Sequence, residues 1–430
     1  MPTGELYTPG LPQTLGNGLV LRTVADERDV ERVLAFVREV HGADGELWAR
    51  WTLSGSHPTV RWGDYLLVED TSTGDVASSL VLIPQTWAYE GIPLRVGQVE
   101  LVGTRPAWRH RGLIRAQLAA VDRMLRAREC DLSAIAGIPY FYRQFGYEYA
   151  LALDGGWRLT PAQIPPLPDG ETEPVVIRQA DPETDVPALA GLYEEMARGL
   201  CVVALRGERS WRFQMRAPAQ LLATHVLAAP DGQVGGYFRF EPMLGVRSLF
   251  IGEAAFAPAY RRRSVLLAVL RYAAGRLADY GCEKVGLPLW DGHPLAETAA
   301  YLGAERVPQY AWQIRIADEA AFLRRIAPAL ERRLASSALA GFAGVLDLNL
   351  MRRLLRLHFA AGRLVEVEDA GYQQEAWMAR FPPGVVNMLL LGYRGREEIC
   401  DWYADAMVRR EAWQLVDILF PKTPSHVRGL

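Results

Sequence analysis

The stretch GTRPAWRHRGLIRAQL, residues 103–118, sets Arg109, His110 and Arg111 against Gly112 where an amphipathic helical pattern begins. The first N–H groups of a helix have no intrahelical partner, and the helix dipole adds partial positive charge there, so such an end accepts anions. A glycine at 112 lets a bulky phosphate approach the backbone closely. The strand pattern QVELVGT runs straight into this turn and offers a rail of backbone groups to an extended ligand. Together these features suit a pyrophosphate bearing a long amide-containing arm, which describes coenzyme A. The alternative is a solvated basic cap, although basic residues at a helix N-terminus oppose the dipole unless an anion is present.

Transfer of an acyl group from such a ligand to an amine needs a neutral amine, stabilisation of the developing oxyanion and protonation of the departing thiolate. Tyrosine suits the last task, because its pKa of about 10 lies just above that of a thiol at about 8.5. The segment PYFYRQFGYEYA supplies Tyr140, Tyr142, Tyr147 and Tyr149; taken singly, each is equally an aromatic of the core. HGADGELWARW, residues 41–51, places Asp44, Glu46 and Trp48 after the first helix, where they form either an acceptor pocket or an ordinary surface loop. The seven histidines are scattered, with no serine or cysteine partner that makes a hydrolytic triad, and GQVGG at 232–236 reads as a hairpin turn.

The elements that must position these residues recur along the chain. A strand, an amphipathic helix with Val30, Val33, Leu34 and Val37 on one face, and successive strands with turns at TSTGD and YEGIP precede the basic turn. After it come a helix, the apolar strand LSAIAG and the tyrosine segment. TPAQIPPLPDGETEP, rich in proline and acid, reads as a linker. The pattern then begins again: Pro106, Trp108, Arg109, Arg111 and Cys130 return at one constant spacing as Pro258, Tyr260, Arg261, Arg263 and Cys282, while Gly112 becomes Ser264. From about residue 310 the pattern changes. DEAAFLRRIAPALERRLASS and GREEICDWYADAMVRREAWQLVDILFP read as helices, and GVLDLNL, LLRLHFAAGRLVEVEDAG and NMLLLGY as strands. The expected divisions are 1–160, 161–308 and 309–430.

The 430 residues are 50% hydrophobic and 23% charged, with a net charge of −3, a balance that argues against general nucleic-acid binding. The four cysteines lie far apart and lack metal-ligand spacing, so neither a disulfide scaffold nor a metal site is expected, and a reducing cytoplasm fits. The sequence shows no signal peptide and no apolar run of the roughly 20 residues that span a bilayer, so no membrane association is expected.

TRPAWRHRGLIRAQL resembles the acyl-CoA motif of the GNAT acetyltransferases, with Arg109, Gly112 and Ile114 at its fixed positions; Ile114 departs from the usual small residue. Two such units and a third α+β unit resemble the enhanced intracellular survival (Eis) family. That resemblance implies an α+β architecture of an active GNAT domain, a degenerate GNAT domain and a sterol-carrier-protein-like domain. It implies acetyl-CoA as cosubstrate, contacted by Leu101, Val102, Gly103, Arg109, His110, Arg111, Gly112, Leu113 and Ile114, with Gly137 and Ile138 flanking the acetyl group. It implies Tyr142 as general acid, the terminal carboxylate of Leu430 as base, and an acid-lined acceptor site to which Asp44, Glu46 and Trp48 are assigned. Without that resemblance the end of the chain reads as a frayed tail. The expected activity is direct N-acetylation of a primary amine, in a small molecule or a lysine, by a homo-oligomer; hexamers occur in the family. The second unit is expected to bind no CoA. The competing reading is a non-enzymatic binder that senses acyl-CoA and carries an apolar ligand.

Overall fold

The computed structural model describes residues 9–229 and 232–428; the expectation for Leu430 lies outside them. The chain gathers into two compact units, one of Met1–Leu151 with Trp312–Lys422, the other of Ala152–Ala311 with Thr423–Leu430.

The first unit opens with β1 (Gln13–Gly16) and β2 (Leu19–Thr23), then α1 (Glu27–Leu53), whose N-terminus is capped by the Asp26 side chain accepting from the Asp29 amide. Helix α1 is interrupted at Gly42, at φ 78° and ψ −174°, and then resumes. Residues 41–51, expected to be a loop, are therefore the kink and second limb of a helix. The strands β3 (Tyr65–Asp70), β4 (Val76–Tyr89) and β5 (Ile92–Thr104) form a meander. Its β4–β5 turn uses Glu90 and Gly91, both at positive φ, which matches the twist of the strands. Helix α2 (Leu113–Ala127) carries the chain back to β6 (Leu132–Ile135), parallel to β5.

Alternation along the strands sends side chains to both faces. Leu66, Leu80, Leu82 and Val99 pack under α2, while Tyr65, Leu67, Val81 and Ile83 pack under α1. The sheet is thus covered by a helix on each side. Strand β7 (Glu148–Leu159) then leaves the first unit after Leu151.

The second unit contains β8 (Val176–Gln179), α3 (Val186–Ala197), β9 (Val202–Ala204), α4 (Glu208–Met215), β10 (Ala223–Ala228), β11 (Val234–Met243), β12 (Ser248–Phe256), α5 (Arg263–Arg276), β13 (Lys284–Leu287) and α6 (Pro294–Tyr301). Its sheet runs β8-β10-β11-β12-β13, with β12 and β13 parallel as β5 and β6 are. The end of β7, at Trp157–Leu159, pairs antiparallel with β13. The sequence repeat is thus a structural repeat. The stretch expected to be a linker is pinned within this unit, where Arg271 forms a bidentate pair with Glu173 at 2.7 and 2.6 Å. The tail is docked here too: the Cys201 amide donates to the Pro424 carbonyl, the His426 amide to that of Val202, and Arg428 pairs with Asp154 at 3.0 Å.

Strand β14 (Glu305–Ile316) returns the chain to the first unit, where residues 313–316 pair antiparallel with β6. The division expected at 308/309 falls inside this strand. Then follow α7 (Glu319–Ala335), β15 (Gly344–Asn349), β16 (Leu354–Ala360), β17 (Arg363–Asp369), β18 (Ala379–Arg380), α8 (Val386–Leu390), α9 (Arg396–Trp402), β19 (Met407–Val408) and α10 (Trp413–Leu419). These form a five-stranded sheet of order β17-β16-β15-β18-β19. Two expectations fail here. NMLLLGY begins in the buried helix α8 and leaves it after Leu390, because a short apolar run does not distinguish a buried strand from a buried helix. The last helical stretch is broken into α9, β19 and α10. This part shares contacts with the meander: the Tyr89 hydroxyl donates to the Leu390 carbonyl at 2.9 Å, and Arg333 pairs with Glu90 at 2.5 Å.

In the second unit Gly156 sits at φ 80°, and a β-carbon there would lie 2.2 Å from the Leu287 carbonyl oxygen. Left-handed strain and a backbone collision add, so Gly156→Ala is expected to destabilise by about 2–4 kcal/mol in urea unfolding.

Candidate active site

Strands β5 and β6 pair from Val96–Leu132 to Val99–Ile135, where β6 ends and β5 continues to Thr104. Just past that point β5 carries a bulge: Leu101 is at φ 50°, and the register against β4 shifts between Ser79 and Val81. On the other side Gly137 takes φ 141° and turns the chain away. Between the diverging backbones lies a cleft of ≈ 980 Å³.

Helix α1 reaches the bulge at its kink. A β-carbon on Gly103 would sit 2.8 Å from Val40 Cγ1 and 2.9 Å from His41 Nε2, so only glycine allows this approach. His41 hydrogen-bonds the backbone of Leu101, and partial desolvation holds its imidazole below the usual range.

The basic turn forms one wall. His110 and Gly112 both take left-handed conformations, at φ 63° and 75°, and Gly112 is the N-cap of α2 with no side chain capping the helix. Nothing lies within 4 Å of a β-carbon built on Gly112. This uncapped helix start at the cleft wall, open above its glycine, fits a pyrophosphate. Leu101, Val102, Gly103, Arg109, His110, Gly112, Leu113, Ile114, Gly137 and Ile138 all line the cleft, as does Tyr142. Arg111 does not; its guanidinium lies 4.7 Å from the Trp108 ring centroid and donates to the Ala107 carbonyl. Arg115, one turn into α2, lines the cleft and was not anticipated.

Of the tyrosines, Tyr142 is 3% exposed and faces Gly137, where a β-carbon would lie 3.7 Å from its hydroxyl. It is held edge-on by Phe141 and Tyr147. Tyr147 is committed to Ser133 by a 2.7 Å hydrogen bond, and burial raises its pKa.

Asp44, Glu46 and Trp48 do not line this cleft. Glu46 pairs with Arg38 at 3.1 Å and Arg50 at 3.0 Å, Trp48 packs on the core under α1, and Asp44 is exposed on the second limb. The acid that does line it is Glu100, beside the bulge. Desolvation pushes its carboxyl up to about 7, against a hydrogen bond from Gln98 that stabilises the ionised form. That bond ends a relay: Trp87 Nε1 donates to Gln85 Oε1 at 2.7 Å, Gln85 Nε2 to Gln98 Oε1 at 2.5 Å, and Gln98 Nε2 to Glu100 Oε1 at 2.7 Å. The sequence carried one signal for this site, the single carboxylate in the strand QVELVGT, read there only as a rail.

In the second unit the path is similar but the contents differ. Glu100 corresponds to Gly252 and Leu101 to Glu253, a wholly buried carboxylate bridged to Arg206 at 2.7 Å. Ser264 lies within a helix whose N-cap, Arg262, has φ −76°. Arg206 itself stacks on Tyr193 and Trp211, at 4.6 and 5.1 Å.

Residues 22–150 match the model of the acetyltransferase (GNAT) domain. The first unit therefore carries a GNAT acetyltransferase domain. Along nearly its whole length the chain has the fold of Eis1 from Mycobacterium abscessus, at 17% identity and TM-score 0.60 over 94% of this chain and 98% of that one. The same fold occurs in a GCN5-related N-acetyltransferase from Anabaena variabilis ATCC 29413, at 15% identity and TM-score 0.67 over 95% and 99%. It also occurs in a protein from Enterococcus faecalis V583 described as a probable N-acyltransferase, at 13% identity and TM-score 0.67 over 96% and 99%. No curated protein matches the sequence at a significant level. GNAT domains bind acetyl-CoA or another acyl-CoA. Among the described residues, no group of three or more His, Cys, Asp or Glu is placed to hold a metal ion, and no helix is long and apolar enough to cross a membrane.

Gly112→Glu puts bulk and negative charge at the helix start and forces a left-handed φ on a side chain. Its affinity for acetyl-CoA is expected to fall at least 100-fold in calorimetry, with unfolding unchanged to within about 1–2 kcal/mol.

Proposed function

We propose that the protein is an acetyl-CoA-dependent N-acetyltransferase acting on a primary amine, with Glu100 as general base and Tyr142 as general acid. The observation that carries this reading is that Glu100, Tyr142 and the Gly112 turn face one cleft of the first unit. Acetyl-CoA supplies the acyl group as a thioester and leaves as a thiol. The turn at 109–114 binds its phosphates, and the diverging backbones of β5 and β6 offer hydrogen bonds to its amide-bearing arm.

Glu100 lies beside the bulge, where the Gln98 relay holds it as an acceptor. A carboxyl poised near 7 takes a proton from an ammonium at neutral pH far more readily than one at the ordinary value near 4. The bulge backbone beside it supports the oxygen that gains charge. Tyr142 gives its proton to the sulfur. The second unit has glycine in place of Glu100 and an ordinary helix cap in place of the left-handed glycine, and serves as scaffold.

Glu100 accepts a proton only when ionised, so kcat/KM should fall about tenfold per unit as pH drops below about 7 and level off above it. Glu100→Gln should lower kcat by about 10²–10⁴-fold and remove that limb. An unchanged pH profile in this variant rejects Glu100 as the base. Tyr142→Phe should cost about 10²-fold in kcat with acetyl-CoA affinity retained; full turnover rejects the acid assignment.

A further inference from the structure

We infer that the acceptor is a primary monoamine with an apolar body, an alkylamine or arylalkylamine, rather than a polycation; the inference rests on the proposed N-acetyl transfer.

Among the described residues that line the cleft, Glu100 is the single carboxylate. The same cleft is lined by the apolar Val40, Leu101, Ile138 and Phe141 and by His41. Glu39 and Glu46 of α1 and Glu148 of the tyrosine segment are engaged: Glu39 pairs with Arg105 at 2.9 Å, Glu46 with Arg38 and Arg50, and Glu148 with Arg143 at 2.6 Å. Asp44 is exposed and off the cleft lining. Besides Tyr142, the remaining titratable lining groups are Arg109, His110, Arg115 and His41, none of which carries a negative charge to pair with a cation.

One ammonium is therefore matched by Glu100. A second would have to sit against apolar walls, beside arginines or against the uncharged Thr104 and Gln144, with no carboxylate to pair with it, and an unpaired buried charge is costly. The rim points the same way. Ile138, on the cleft lining, is 64% exposed. Apolar side chains left uncovered at the mouth of a pocket favour a ligand that covers them.

The test is thiol release from acetyl-CoA by the full chain with 2-phenylethylamine, hexylamine, spermidine and kanamycin, together with calorimetric titration of each amine into the protein–CoA complex. The monoamines are expected to exceed the polycations at least tenfold in kcat/KM and in affinity. Ile138→Asp, which sets a second carboxylate at the rim, is expected to move the ratio toward spermidine at least tenfold. Equal or better use of spermidine or kanamycin by the unaltered protein overturns the inference, and so does an unmoved ratio in the variant. If monoamines bind preferentially but no amine releases thiol, the pocket inference stands and acetyl transfer falls.

Discussion

Everything at the candidate site depends on two parallel strands coming apart. For four residue pairs β5 and β6 satisfy each other's backbone groups. Beyond Val99 and Ile135 they do not, because Leu101 is bulged at positive φ and Gly137 turns away. Buried backbone donors and acceptors need partners, and a cleft walled by such groups is matched by a ligand rich in amides. The bulge is held from behind. Helix α1 presses Val40 and His41 onto Gly103 so closely that a methyl group would collide. The left-handed cost at Leu101 is thus absorbed by the packing of a neighbouring helix rather than by the strand itself.

The repeat within the chain separates scaffold from chemistry. Both units have the parallel strand pair, a short turn that opens with proline, and the helix after it. What differs is small in sequence and large in consequence. A carboxylate has moved by one position along the strand, from Glu100 to the place of Leu101, where Glu253 is enclosed between arginines and aromatic rings. Such a buried ion pair costs heavily if one partner is removed, yet contributes little net stability over apolar packing. The second unit has an interior where the first has a cleft.

The left-handed turn at Gly112 was readable in the sequence because glycine after a basic cluster marks a conformation that other residues avoid. The repeat was readable because its spacing never slips. Glu100 was missed for a physical reason: its importance comes from desolvation and from the relay through Gln98, neither of which is local in sequence. The segment at 41–51 was misread because it was placed after the first helix, whereas the chain kinks at Gly42 and the helix resumes. The α8 run was misread because a core surrounds it on all sides, which erases periodicity. The divisions were expected at 160/161 and 308/309, whereas the chain changes unit after Leu151 and Ala311, inside β7 and β14, because a strand that changes unit halfway carries no punctuation in its sequence.

That last feature bears on how the molecule is made. The unit that holds the cleft is not a continuous piece of chain: the strand that covers β6 lies at 313–316, after residues 152–311 of the second unit. A ribosome adding roughly 5–20 residues per second leaves the edge of β6 bare for on the order of ten seconds or more. An open strand edge in a nascent chain recruits whatever strand is nearest. Here the segment that emerges next repeats the same strand and helix pattern, so the order of synthesis presents the growing chain with a wrong partner of the same pattern before the right one exists.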